Sequence, residues 1–191
     1  MHPVQVDVDY VERRSRLTTF FRLILFIPHY IFLALFGLVA AIVAVIAWFA
    51  ILITGRYPQG MWNLVASYQR YAARAISYVW LVSDPFPPFS GDGDYPVTAH
   101  IERPERHSRL KTFFRFILVF PAFVVVTLLG YAVYAISFLL WLWIVFMGRS
   151  PRGVHNFMAT AVQYYTRLGA YVLLLTDAYP NFDEREPAAA V

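Results

Sequence analysis

Displaced by 93 positions, the chain falls on itself without a gap, from Pro3 on Pro96 to Phe89 on Phe182. Superposed pairs include Ser15 with Ser108, Arg16 with Arg109, Arg22 with Arg115, Pro28 with Pro121, Gly55 with Gly148, Arg74 with Arg167, Tyr78 with Tyr171 and Asp84 with Asp177. Roughly a third of the aligned positions are identical, the mark of a tandem duplication rather than a chance periodicity. Two copies of one shape have to share a core, so a pseudo-two-fold architecture is the first expectation. The repeats are read as 1–89 and 95–182, with 90–94 a linker and 183–191 a tail.

Hydrophobic residues make up 59% of the 191 positions and aromatics 18%, against the ~45–50% apolar share of an average soluble domain. The excess lies in two blocks. His29 to Thr54 has no charged residue beyond its first histidine, and Ala122 to Met147 has none. At 1.5 Å per residue each block reaches roughly 39 Å, enough to cross a ~30 Å hydrocarbon core with tilt, so both read as transmembrane helices. A buried helix of a soluble protein would need a larger amphipathic shell than this chain can supply. There is no cysteine, so disulfides and thiolate metal sites are excluded. The first 19 residues carry six charges without an apolar run, so the first span is expected to direct insertion itself. The net charge of +4 rests on arginine, Lys111 being the one lysine, and guanidinium forks suit phosphate.

Within each repeat the pattern changes in order. Val4, Val6 and Val8 alternate with polar residues, as do Val97, Ala99 and Ile101; both stretches read as half-buried strands that pair antiparallel across the pseudo-axis at the cytoplasmic surface. Ser15 and Ser108 stand as N-caps of amphipathic elbow helices, Arg16 to Ile27 and Arg109 to Phe120, which Pro28 and Pro121 are expected to break. Arginines at a helix start oppose the macrodipole, so Arg16, Arg22, Arg109 and Arg115 are assigned to lipid phosphate. Each long span stops at G-R-x-P-x-G, read first as a tight turn, whose glycines also permit a phosphate-sized group to approach Arg56 or Arg149 as lipid-contact candidates. A second helix follows, Met61 to Ser83 and Val154 to Thr176, with Asn63, Ser67, Arg70, Arg74 and Ser77 on one polar stripe.

Strands on one side of the membrane require each repeat to cross an even number of times, so the second helices are expected to span as well. The fold class is then an all-α integral membrane protein of two tandem repeats with four transmembrane helices, both termini cytoplasmic. The alternative lays the second helices flat or makes the long segments re-entrant, because Arg74 and Arg167 otherwise sit deep in the bilayer at ~2.5–3.5 kcal/mol each.

No acidic residue lies between Arg13 and Ser83 or between Arg106 and Thr176. Like charges brought together across the axis need an anion, which points to a phospholipid-headgroup site of Arg74, Arg167, Asn63, Asn156, Tyr78 and Tyr171, with Arg70 on the same stripe. The plainer alternative is that these arginines snorkel or pair with Asp84 and Asp177. The five histidines share no ligand spacing, so no metal is expected, and no cofactor or catalytic set is discernible.

The repeated order of S-R-L-x-T-F-F-R before a proline, G-R-x-P-x-G after the long span and D-x-[FY]-P-x-F at the end resembles the bacterial membrane family called domain of unknown function 4389. The resemblance covers nearly the whole chain, twice, and implies a bacterial plasma-membrane protein without implying an activity. The leading expectation is a non-enzymatic accessory or scaffold subunit of a membrane complex that contacts anionic phospholipid and a membrane-protein partner, with no nucleic acid. A small transporter or channel with a polar pathway between the repeats, and a membrane-shaping hairpin protein, are the alternatives.

Overall fold

The computed structural model describes residues 2–89 and 94–182; residues 90–93 of the expected linker and the tail at 183–191 lie outside the described residues. Strand β1 (Val4–Val8) precedes the short helix α1 (Arg16–Phe20), the long helix α2 (Arg22–Thr54) and α3 (Gln59–Val79). The second repeat gives β2 (Val97–Ile101), α4 (Arg109–Phe113), α5 (Arg115–Met147) and α6 (Arg152–Val172) in the same order. β1 and β2 pair antiparallel, and Val6 stands opposite its own copy Ala99, so the pseudo-two-fold passes through that pair. The inner residues Val4, Val6, Val97 and Ala99 are buried, whereas Asp7 and His100 on the outer face stay exposed at 60% and 64%.

Local signals act where the sequence puts them. The hydroxyls of Ser15 and Ser108 accept the N–H of Thr18 and Lys111, as N-caps do. Gly55 and Gly148 end the long helices in the left-handed conformation, at φ 72° and 69°, which glycine adopts without a Cβ penalty. α3 and α6 end on the same type of 6→1 bond, Val82 N–H to Ser77 O and Leu175 N–H to Ala170 O, but with leucines at positive φ. Leu81 and Leu174 bear that strain because both side chains are buried.

One expectation needs correction. The elbow does not run to Pro28: the chain bends at Phe21 and Phe114, where ψ is near zero, and α2 and α5 pass through Pro28 and Pro121. Each proline forfeits one bond in the second turn, while the earlier bend frees α1 to dock on α5 and α4 on α2. Two of the helices, α2 and α5, are long and apolar enough to span a membrane; α3 and α6 are not among them.

The antiparallel disposition of the long helices follows from two matched bonds. Trp48 donates its indole N–H to Thr112 O at 3.0 Å, and Trp141 donates to Thr19 O at 2.9 Å. The C-terminal half of each long helix therefore lies beside the start of the other. α3 and α6 cross between them, closely enough that a Cβ on Gly169 would fall 2.5 Å from Gln69 Nε2, and the sheet covers the crossing. The result is a layered body: a polar two-stranded sheet, the α3–α6 pair, and the outer faces of α2 and α5. Those faces are apolar along their whole length, from Leu23 and Ile24 to Ile53 on α2 and from Phe116 to Phe146 on α5.

Candidate functional site

The six residues proposed from the sequence as one anion site are not assembled. Arg74 Nε donates to Val97 O at 3.2 Å, and Arg167 Nε donates to Val4 O at 3.1 Å, each reaching the strand of the other repeat. Arg167 Nη1 adds bonds to the backbone and side-chain oxygens of Asn181, both at 2.8 Å. Both guanidiniums are buried, so they satisfy strand carbonyls instead of facing lipid. Asn63 and Asn156 are exposed near the opposite ends of the same helices. Arg70 donates to Ser67 Oγ, one turn away on the same helix.

Tyr78 and Tyr171 serve a different pair of arginines. The Arg22 guanidinium lies 4.4 Å from the Tyr78 ring centroid and Arg115 4.3 Å from Tyr171, cation–π contacts in a buried setting. Arg22 Nη1 donates to Tyr78 O and Ser83 O, and Nη2 to Asp84 Oδ1 at 2.7 Å. Arg115 repeats the set with Tyr171 O, Thr176 O and Asp177 Oδ1. Asp84 and Asp177 also accept the backbone N–H of Ser15 and Ser108, fastening the short helices to the ends of α3 and α6. Burial alone would raise the Asp177 carboxyl, but the His107 ring, the Ser108 N–H and Arg115 outweigh it and hold the group below the ordinary carboxylate range. Arg22 and Arg115, assigned to lipid phosphate from the sequence, are thus internal pairs. The aspartates' partners are not Arg74 and Arg167 but arginines at the starts of α2 and α5, because Asp84 follows α3 back to the start of α2 and Asp177 follows α6 back to the start of α5.

Arg16 and Arg109 meet the long helices of the opposite repeats. A Cβ built on Gly148 would lie 2.9 Å from Arg16 Nε, and one on Gly55 3.6 Å from Arg109 Nε. Positive charge at a helix C-terminus is favourable, so the arginines that oppose their own helix's dipole complement another's. The backbone joins the same places: Arg14 N–H to Gly148 O, Ser150 N–H to Glu12 O and His107 N–H to Gly55 O, each at 2.9 Å. Both turns are therefore tied to the segments that leave the strands.

At the Gly55 end these ties enclose a cavity of about 530 Å³ lined by Thr54, Gly55, Arg56, Arg106, His107 and Arg109. Arg56 comes from the first repeat and the other charges from the second. Reading the sequence missed Arg106 and His107, whose signal was their place just past a strand end, next to Ser108. At the other end a cavity of about 430 Å³ is lined by Arg149 and Arg152 together with Glu12, Tyr10 and Trp143. Arg152 rests 4.9 Å from the Tyr10 ring centroid. Among the described residues no group of three histidines or carboxylates could hold a metal ion.

A family model described as "Domain of unknown function (DUF4389)" matches residues 16–91 and again residues 109–183. No curated protein and no solved structure matches the chain.

Proposed function

The chain belongs to the family Domain of unknown function (DUF4389), which it carries twice, and for this two-copy member we propose a non-enzymatic accessory or scaffold role in the bacterial plasma membrane. In this reading α2 and α5 lie flat in the cytoplasmic leaflet, the sheet faces water, and the arginine-rich ends of the layer touch anionic headgroups.

The observation that carries the reading is the fastening of the C-terminal end of each long helix to the strand-exit segment of the other repeat, while its own repeat's strand exit leads through a short helix into its N-terminal end. A 33-residue helix is about 50 Å long, some 20 Å more than the hydrocarbon core it would cross. If the antiparallel pair stood upright, the pseudo-axis would lie in the bilayer midplane, and with it the exposed Asp7 and His100 of the sheet. A carboxylate there costs ~2.5–3.5 kcal/mol on insertion scales. Lying flat, the same body buries its continuous apolar faces and keeps the sheet in water, as interfacial helices do. Both turns and both strand exits then share one depth, where arginines gain from anionic lipid. The polar stripe of α3 favours contact over transport: Ser77 Oγ donates to Ala73 O and Arg74 to the sheet, leaving these groups spent inside the fold.

Single cysteines at Gln59, Glu102 and Arg152 test the arrangement in this cysteine-free chain. An impermeant thiol reagent applied to oriented vesicles is expected to label all three from the same face. Labelling of Gln59 from the face opposite Glu102 overturns the flat arrangement and restores a crossing one.

A further inference from the structure

Three guanidiniums converge on the Gly55 cavity, and none of Arg56, Arg106 and Arg109 has a side-chain hydrogen bond or ion pair among the described residues. No carboxylate lines the cavity. His107, itself buried, directs Nδ1 away from the three arginines to Asp177 Oδ1 at 3.3 Å, and Asp177 is further bound by Ser108 and Arg115. His107 Nε2 has no hydrogen-bond partner among the described residues. Converging positive charges raise one another's energy unless an anion separates them, and planar guanidinium forks match the oxygens of a phosphate.

We propose that this cavity is a phosphate-binding site, built jointly by the turn after α2 and the segment after β2. Arg109 reaches Gly55 at the end of α2, where the negative end of the helix dipole favours a guanidinium, while Arg56 and Arg106 are left to close on the ligand. The opposite end of the molecule is a natural comparison. There Glu12 lines the cavity together with Arg149 and Arg152, and Tyr10 takes Arg152 in a cation–π contact, so a carboxylate offsets part of the positive charge. One duplicated module thus carries an all-cationic site at one end and a counterpart that includes a carboxylate at the other.

The source of the phosphate, a phospholipid headgroup or free phosphate, depends on the flat arrangement proposed above, and the experiment separates the two questions. Arg56→Gln with Arg106→Gln removes two of the three charges and leaves Arg109 on Gly55; Arg149→Gln with Arg152→Gln is the comparison. Inorganic phosphate is titrated by ³¹P NMR into the full chain in neutral detergent, and binding to phosphatidylcholine vesicles is measured with and without phosphatidylglycerol. Saturable phosphate binding is expected in the parent protein, weakened about fivefold per arginine, roughly 25-fold in the first double variant, and little in the second. Loss of the phosphatidylglycerol preference in the first variant identifies the headgroup as the source. An unchanged preference with lost phosphate binding identifies free phosphate. Equal losses in both variants, or no saturable binding in the parent, overturn the site. Binding to pure phosphatidylcholine rests on the apolar faces, so its absence overturns the membrane reading and not this one.

Discussion

Arg16 stands over Gly148, so close that a Cβ on the glycine would come within 2.9 Å of its Nε. The start of the first repeat thereby caps the end of the second repeat's long helix, and Arg109 does the same for Gly55. Gly148→Ala meets both a positive φ and this contact, and should cost about 1–2 kcal/mol in thermal unfolding in detergent. Gly60→Ala is the control: nothing lies within 4 Å of a Cβ there, and its effect should stay within a few tenths of a kcal/mol. Equal effects at the two positions would refute the cross-repeat cap.

Asp177→Asn should destabilise by about 3 kcal/mol at pH 7, because it leaves the buried Arg115 without its counter-charge. The sign of the pH dependence follows from the lowered Asp177 pKa. A carboxylate with a depressed folded pKa contributes fully above its unfolded value, near 3.9, and loses that contribution as pH falls through the folded value. The gap in melting temperature between parent and variant should hold at neutral pH and narrow below about pH 4. A gap that widens on acidification contradicts the assignment.

Removing residues 2–9 takes away the acceptor of Arg167 at Val4 O and exposes the hydrogen-bonding edge of β2. Buried Arg167 then lacks a carbonyl it satisfies, and the inner face of Val97 and Ala99 loses its partner strand. A loss of several kcal/mol and faster proteolysis near Val97 are expected. An unchanged unfolding temperature would mean the strands contribute nothing to the shared core.

Trp48→Phe and Trp141→Phe each remove one indole hydrogen bond between repeats, worth about 1 kcal/mol, while keeping most of the ring volume. The two bonds share no residue and lie at opposite ends of the layer, so the double variant should equal the sum of the singles. Strong coupling between them would show that the repeats shift as one body when either end is loosened.

The sequence by itself determined whatever is written within a few residues: the duplication, the alternating strands and their pairing, the serine caps, the glycine stops and the two long apolar helices. These are decided by local backbone preference and periodicity, and the chain carries each twice. Even so, the bend falls at Phe21 and not at Pro28, since a proline in the second turn forfeits one bond while the docking of α1 on α5 sets the earlier break. The partners of the arginines were decided only by the tertiary structure. Arg74 and Arg167 bind strand carbonyls, Arg22 and Arg115 take the aspartates, and Arg16 and Arg109 cap distant helices, in contacts spanning from 23 to 163 residues of sequence. Nothing in a single repeat distinguishes an arginine that faces lipid from one that completes its neighbour. The difference is made by the antiparallel docking of two copies, which brings the end of each long helix to the beginning of the other.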